Sequence, residues 1–140
     1  MSNNEVEENF LIKLANAYNC YDCSNLGNML ADDVTYDSFW VLDQIKSKAK
    51  YLEYLKHKLI AMQKSNKRTH YVMMYRQGSG KPVLMVTPKT PEGDFGGFTA
   101  EANLQGLINA IHIMPTSFLN PLGYKDKNAF DEFMKEANKC

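Results

Sequence analysis

The sequence predicts an α+β fold in which helices come first and a sheet follows. Three observations support this prediction. Up to Met62, most apolar residues recur every three or four positions, whereas from His70 onward they alternate with a period of two. Glycine-containing turns separate the later stretches. One short alternating stretch interrupts the helices, and this order of helix pair, strand, helix and then strands forms a concave pocket.

Three helices and one strand are predicted in the first half. Helix one covers about 5–21, and a shorter second helix carries Leu26, Met29 and Leu30 and ends near residues 32–33. Val34 to Ser38 alternates like a strand, and a link follows Trp40. Ser47 then caps helix three. Its apolar stripe consists of Tyr51, Leu52, Leu55, Leu59 and Met62. Its predicted solvated side consists of Lys48, Lys50, Lys56, Lys58 and Lys64.

The second half is predicted to form strands and a last helix. The predicted strands are His70–Gln77, Pro82–Lys89, Phe95–Leu104 and Leu107–Met114. Gly78-Ser79-Gly80 and Gln105-Gly106 form turns between them. The Pro- and Gly-rich stretch at 90–97 is either a pocket rim or the end of a long hairpin. Pro115 ends the last strand, Pro121 and Gly123 mark a break, and Asp126 caps the final helix.

Length and charge limit the function classes. A chain of 140 residues is expected to form a single domain, 1–140. Lys+Arg and Asp+Glu are equal at 16 each, so no long-range field favours nucleic acid or an anionic membrane. The N-terminus is polar and acidic, and no apolar run reaches the roughly 18 residues of a membrane span. We therefore expect a cytoplasmic protein without nucleic-acid or membrane partners.

The cysteines and histidines do not predict a metal site. Three cysteines are too few for a disulfide framework, which favours reduced thiols. Cys20 and Cys23 have the spacing of a redox or zinc pair, but a second ligand pair is missing, and half-buried structural thiols are the alternative. Cys140 is expected to be free. His57, His70 and His112 lie on separate elements, with His112 expected on the outer sheet surface or against a dimer partner.

Several of these stretches together resemble one superfamily. Asn25 to Ser38, Trp40, Ser47 to Leu55 and the run from Leu104 to Ile113 resemble nuclear transport factor 2-like proteins, which include ketosteroid isomerases and SnoaL-like polyketide cyclases. The resemblance implies a curved antiparallel sheet wrapped around the N-terminal helices. These form a cone with an apolar pocket, with a core at about 10–115 and a C-terminal helical extension at about 124–140.

The resemblance also gives candidate catalytic residues. The general base of the isomerase pattern falls on Ser38, and the nearest carboxylate is Asp37. Because a shift of one residue on a strand reverses the side-chain direction, Asp37 is expected to point away from the cavity. Tyr18 is the phenol nearest the matching position in helix one, and Glu101 is the acid that would complete an oxyanion hole. His70 is a further candidate, and ketosteroid isomerase chemistry is not expected.

The favoured function is binding of a small hydrophobic or amphipathic ligand in the cone. Tyr18, Tyr36, Ser38 and Trp40 are the predicted pocket residues, since aromatic walls with polar tips suit such a ligand. Arg76 either orients an anionic ligand or pairs with an exposed acid. An isomerase, cyclase or dehydratase with a non-standard acid–base set and a protein-interaction module stay open, so the sequence does not decide whether the protein is an enzyme. It predicts no cofactor and no metal, and it predicts a homodimer formed through the sheet.

Overall fold

The structure, a computed structural model, describes residues 2–39, 41–65, 70–87, 96–119, 121–122, 131–132 and 135–136. The helices are α1 (Asn3–Cys20), α2 (Lys48–Lys64) and the short α3 (Thr116–Leu119), with a 3₁₀ turn at Gly27–Met29. The strands are β1 (Leu30–Ser38), β2 (Val41–Lys46), β3 (His70–Arg76), β4 (Pro82–Thr87), β5 (Gly96–Ala102), β6 (Ile108–Pro115) and β7 (Pro121–Leu122).

The described strands form one mixed sheet in the order β2-β1-β6-β5-β4-β3-β7. Neighbouring strands are antiparallel except for β1 and β6, which run parallel with Tyr36 opposite Ile111 and Asp37 opposite His112. The α+β class is therefore confirmed, and the sheet is antiparallel as predicted apart from the one parallel pair of β1 and β6. The parallel pair arises because the long connection from β1 to β6, through α2 and four strands, lets β6 join β1 in the same direction.

The two long helices pack on one face of the sheet, which we call the inner face. Helix α1 lies against β4 and β5, and α2 lies against β1. The main core is enclosed between them, with Phe10, Leu14, Leu55, Leu84 and Ile111 almost fully buried. A second, smaller core of Val83, Met85 and Leu119 lies on the opposite, outer face, where α3 folds back over the sheet. Side chains of both faces are therefore partly covered.

The local helix and turn signals in the sequence gave correct predictions. Helix α1 begins after Ser2, and α2 begins after Ser47, whose hydroxyl accepts a hydrogen bond from the Lys50 backbone N–H at 3.2 Å. The four predicted strands correspond to β3, β4, β5 and β6 within a few residues. Gly78, Gly80 and Gly106 have positive φ angles in the turns between them. Glycine adopts this backbone geometry with little strain, which explains these turn positions.

Three predictions of secondary structure are wrong. The short second helix is only a 3₁₀ turn, and the chain enters β1 at Leu30. Leu30 pairs with Ile108 of β6, so the ladder with a distant strand outweighs the local helical spacing. The link after Trp40 contains β2, and Pro121–Leu122 is an edge strand on β3 rather than only a break. Asp126, proposed to cap the last helix, lies outside the described residues.

The cysteines differ from the expectation of reduced thiols. Cys20, at the end of α1, takes part in a disulfide, whereas Cys23 is a free, half-buried thiol. The expectation is therefore wrong for Cys20, and it shows that a sparse cysteine set does not exclude a single bridge. Cys20 and Cys23 are not bonded to each other. Cys140 lies outside the described residues.

A buried carboxylate on α1 holds the end of β5. Glu7 is 1% exposed, and its Oε2 accepts a hydrogen bond from the Ala102 backbone N–H at 3.1 Å. The ladder between β5 and β6 is irregular at this point, between Glu101 and Ala102. Oε1 lies 3.7 Å from Lys81 Nζ, which is too long for a hydrogen bond. Glu7 therefore fixes the helix to the irregular strand end.

We expect Glu7→Ala to lower the free energy of unfolding by about 1–3 kcal/mol, because it leaves the Ala102 N–H buried without an acceptor. Glu7→Gln keeps an acceptor oxygen and removes only the partly exposed ion pair, so we expect a loss below about 1 kcal/mol. Urea unfolding monitored by circular dichroism measures both. Equal losses for the two variants would show that the hydrogen bond to Ala102 is not what matters.

Candidate functional site

Five tyrosines from four elements meet on the inner face of the sheet. They are Tyr18 on α1, Tyr36 on β1, Tyr51 and Tyr54 on α2, and Tyr71 on β3. The ring centroids of Tyr18 and Tyr71 are 5.5 Å apart, and those of Tyr36 lie 5.4 Å from Tyr51 and 5.3 Å from Tyr54. All of these contacts lie within the range of favourable aromatic pairs. We call this group the tyrosine cluster.

A lysine lies against the tyrosine cluster. The Nζ atom of Lys58 is 5.6 Å from the ring centroid of Tyr18, 5.8 Å from that of Tyr54 and 3.5 Å from the Tyr54 hydroxyl. These distances fit cation–π contacts. The prediction that Lys58 belongs to the solvated side of the helix is therefore wrong, since its side chain lies over two aromatic rings. Tyr54 precedes it by one helical turn, so both reach the cluster from the flank of the apolar stripe.

Burial favours the protonated form of three phenols in the tyrosine cluster, those of Tyr18, Tyr36 and Tyr51. Burial, followed by the neighbouring phenols of Tyr51 and Tyr36, raises the pKa of Tyr18 well above its usual value. Burial also raises the pKa of Tyr36 and of Tyr51, with a further contribution from Tyr54 in each case. A protonated phenol donates a hydrogen bond. The cluster therefore brings several neutral donors close to one ammonium group.

One hydroxyl in the tyrosine cluster has no hydrogen-bond partner among the described residues. Tyr51 is 1% exposed, and its hydroxyl makes no hydrogen bond within the described part of the chain. Leaving such a donor buried and unpaired costs about 1–3 kcal/mol. Unsatisfied buried groups of this kind call for a specific explanation, and a bound molecule is one.

The structure separates the predicted pocket residues. Tyr18 and Tyr36 belong to the tyrosine cluster and are buried, at 3% and 5% exposure. Ser38 lies at the end of β1 opposite Ile113, and it is among the residues that line a groove together with the outward-facing Asp37 and His112. Trp40 lies outside the described residues. The inner face thus brings together two of the four predicted residues.

The candidate catalytic residues do not come together either. Tyr18 lies on the inner face, whereas Asp37 faces outward as predicted, beside His112 on the next strand. Glu101 is exposed and follows the outer-face positions of β5. The side chain of His70 lies outside the described part. No acid and base from this group therefore share a site with Tyr18 among the residues described.

At the groove on the outer face, the side chains of Gln44 and His112 both contact that of Asp37. His112 Nδ1 lies 3.3 Å from Asp37 Oδ2, and Gln44 Nε2 donates to the same oxygen at 2.9 Å. The groove encloses about 380 Å³. We call it the outer groove. It is lined by Asp37, Ser38, Phe39, Arg76, His112, Ile113, Met114 and Phe118.

Aromatic side chains and α3 form the walls of the outer groove. Phe39 and Phe118 have ring centroids 5.2 Å apart and are 59% and 57% exposed. Leu119 holds α3 against the sheet at Gly97, where a Cβ atom would lie only 2.6 Å from Leu119 Cδ1. Glycine at position 97 therefore allows α3 its close approach. Arg76 Nη2 donates to the Phe118 carbonyl at 3.2 Å, which ties β3 to the same wall.

The described residues also bear on two other classes of site. No three His, Cys, Asp or Glu side chains come close enough there to hold a metal ion. None of the helices in that part combines the length and apolarity that a membrane span requires.

Solved structures share this arrangement of helices and sheet. A steroid delta-isomerase from Pseudomonas aeruginosa superimposes with a TM-score of 0.60 and 14% sequence identity, over 99% of this chain and 92% of that one. A SnoaL-like protein of unknown function from Burkholderia thailandensis gives a TM-score of 0.58 at 10% identity, over 79% and 94% of the two chains. A nuclear transport factor 2-like protein of unknown function from Cytophaga hutchinsonii gives 0.51 at 11%, over 77% and 88%.

The chain has the nuclear transport factor 2-like fold. No protein-family model and no curated protein matches the sequence. At 10–14% identity the similarity establishes the fold and no activity. The resemblance seen in the sequence is thus confirmed by three-dimensional similarity.

Sequence reasoning missed three contributors to these sites. Gln44 was missed because β2 was read as a link. Tyr54 was not singled out because it lies beside, not on, the apolar stripe of α2. Lys58 follows Tyr54 by four positions, and this spacing was the available signal, since such pairs lie on one side of a helix.

Proposed function

We propose that this nuclear transport factor 2-like protein binds a small, mostly apolar molecule at the tyrosine cluster, with an acceptor oxygen of that molecule among the phenols. The observation that carries the proposal is the buried hydroxyl of Tyr51, which has no partner among the described residues. A ligand oxygen would accept the hydrogen bond that the protein leaves unmade.

The surrounding side chains support an apolar ligand body. Tyr18, Tyr71 and Phe98 present their rings from three elements, and Phe98 lies 5.7 Å from Tyr18 between ring centroids. Ligand sites typically combine such apolar walls with a few convergent polar groups. Here the polar groups are phenols, which donate or accept hydrogen bonds, and the Lys58 ammonium, which only donates. An acceptor such as a carbonyl oxygen therefore fits better than a donor.

Tyr54 and Lys58 mark the side from which the ligand enters. Both are partly exposed, whereas Tyr18, Tyr36 and Tyr51 are buried behind them. The 3.5 Å contact between Lys58 Nζ and the Tyr54 hydroxyl is a long hydrogen bond, which a ligand oxygen can replace. Ser38 and Trp40 stay predicted pocket residues, and a cytoplasmic location and homodimerisation through the sheet stay predictions as well.

The steroid delta-isomerase with the same fold acts, by its name, on a steroid. That precedent favours an apolar ligand here but transfers no catalytic residue. Asp37 and Glu101 lie away from the tyrosine cluster, so the proposal is binding and not proton transfer.

We expect Tyr51→Phe to have opposite effects on stability and on binding. Loss of the unpaired hydroxyl should raise the free energy of unfolding of the ligand-free protein by about 1 kcal/mol. The same variant should weaken binding of a neutral ketone, acetylnaphthalene, by a factor of about two to ten, because a hydrogen bond to the ketone is lost. Urea unfolding and isothermal titration calorimetry measure the two effects.

Lys58→Met and Tyr75→Phe complete this experiment. Lys58→Met keeps the aliphatic contacts and removes the ammonium, so it should weaken ketone binding. Tyr75→Phe is the matched control, since the Tyr75 hydroxyl donates to Glu8 at 2.8 Å and not to the cluster. Two results together would refute the proposal. Acetylnaphthalene would give no heat of binding and no shift of the tyrosine ring resonances, and Tyr51→Phe would have the same free energy of unfolding as the wild type.

A further inference from the structure

The outer groove contains a cation, Arg76, that has no acidic partner among the described residues. Arg76 donates to the Phe118 carbonyl, and no carboxylate of the described residues lies within ion-pair distance of its guanidinium. A guanidinium has five N–H donors in a planar fork, so one bond to a carbonyl leaves most of them available. Of the two alternatives predicted for Arg76, pairing with an exposed acid is not found within the described part of the chain.

The acid in the outer groove has its own partners. Asp37 Oδ2 accepts from Gln44 at 2.9 Å and lies 3.3 Å from His112 Nδ1. These contacts fix the carboxylate on its strand, and they leave the second ring nitrogen of His112, Nε2, for another partner. Asp37 also disfavours a doubly charged anion in the groove. The charge pattern therefore suits one monoanionic group near Arg76.

The walls of the outer groove suit a flat apolar body. Phe39 and Phe118 form a tilted aromatic pair that is more than half exposed, and Ile113 and Met114 continue the apolar surface. The volume of about 380 Å³ lies near the lower end of the roughly 300–1,000 Å³ typical of ligand pockets. Because α3 packs closely against the sheet at Gly97, Phe118 is positioned by a helix and not by a flexible loop. A small molecule fits this space, whereas a peptide helix does not.

We propose that the outer groove is a second binding site, separate from the tyrosine cluster, for a small aromatic or flat apolar molecule that carries one carboxylate. Arg76 binds the carboxylate, the Phe39–Phe118 pair holds the apolar body, and His112 Nε2 binds a polar substituent. A carboxylate is favoured over a phosphate because its single charge matches one guanidinium beside Asp37.

Naphthoate and neutral naphthalenemethanol test the site, since they share a ring system and differ in the anionic group. We expect naphthoate to bind the full-length protein and to shift the resonances of the His112 imidazole and the Phe118 ring. Arg76→Gln should weaken this binding by at least about tenfold and leave the weaker binding of the alcohol unchanged. Arg76→Lys should fall between the two because it keeps the charge and loses the fork. Lys50→Gln, on the exposed side of α2, is the charge-matched control and should change nothing.

Three results would overturn the proposal. The first is an equal affinity of the wild type and Arg76→Gln for naphthoate, and the second is tighter binding of naphthyl phosphate than of naphthoate. The third is a combination of two findings: the wild type sediments as a dimer that Phe118→Ala dissociates, and naphthoate shifts no resonance. A second copy of the chain would then occupy the outer groove. The titration of unmodified protein by nuclear magnetic resonance does not depend on any variant folding. Lys58→Met should leave the affinity for naphthoate unchanged. A failure of the proposal for the outer groove is therefore distinguishable from a failure of the proposal for the tyrosine cluster.

Discussion

The protein is expected to unfold steeply in alkali because several of its buried phenols must lose protons. Burial raises the pKa of Tyr18, Tyr36 and Tyr51 above the ordinary value of 10.0. The unfolded chain releases these protons above about pH 10, whereas the folded chain retains them. Their contribution to stability is therefore complete below about pH 10 and is lost as the pH rises toward the folded-state values.

The expected slope follows from proton linkage. Each such phenol lowers the free energy of unfolding by about 1.4 kcal/mol per pH unit above its unfolded pKa, so three lower it by about 4 kcal/mol per unit. A domain stable by about 5–15 kcal/mol then unfolds within about one to four pH units of pH 10. Urea unfolding from about pH 8 to about pH 11.5, with tyrosinate absorbance followed in parallel, measures this.

Two variants separate the phenols from general loss of stability. Tyr51→Phe removes one titrating group, so the slope should fall by about 1.4 kcal/mol per pH unit. Phe98→Leu lowers stability at every pH without removing a phenol, so its slope should equal that of the wild type. Either of two results would contradict the burial of these phenols. One is a free energy of unfolding that stays constant to about pH 11, and the other is tyrosinate that forms at about pH 10 before the chain unfolds.

Local sequence signals were enough to predict helix α2 and the hairpin turns. Ser47 and the stripe that includes Tyr51, Leu55 and Leu59 placed α2 correctly, because capping and 3.6-residue periodicity act within one helix. The glycines at 78, 80 and 106 likewise marked the hairpin turns through their own backbone freedom. These features do not depend on distant residues.

The candidate sites depend on distant residues and could be predicted only in part. Asp37 was correctly expected to face outward, but its contact with His112 follows from parallel pairing between β1 and β6, which no local pattern encodes. Because β1 pairs with β6, the residues predicted to form the end of the second helix form the start of β1 instead. Lys58 matched the polar side of a helix in sequence, yet aromatic rings from α1 and α2 surround its Nζ. Tertiary packing, and not helical spacing, decided its position.

Phe98→Ala is expected to cost more stability than any other single substitution considered for this protein. Phe98 is 2% exposed on the inner face of β5, and it packs against Tyr18. Truncation of a buried phenylalanine to alanine typically costs about 3–5 kcal/mol, through lost transfer free energy and the cavity left behind. We expect a loss in this range by urea unfolding, together with a cavity beside the tyrosine cluster.

Phe118→Ala is the matched control for that prediction. The same atoms are removed from a side chain that is 57% exposed on the outer face, so the expected loss is below about 1 kcal/mol. If Phe98→Ala does not fold, Phe98→Leu provides a smaller buried truncation whose loss should still exceed that of Phe118→Ala. Because a dry apolar cavity of aromatic size can bind benzene, that ligand should partly restore the stability of Phe98→Ala and have no such effect on Phe118→Ala. Similar losses at the two positions would mean that the rings of the inner face do not form the closed core on which the tyrosine cluster depends.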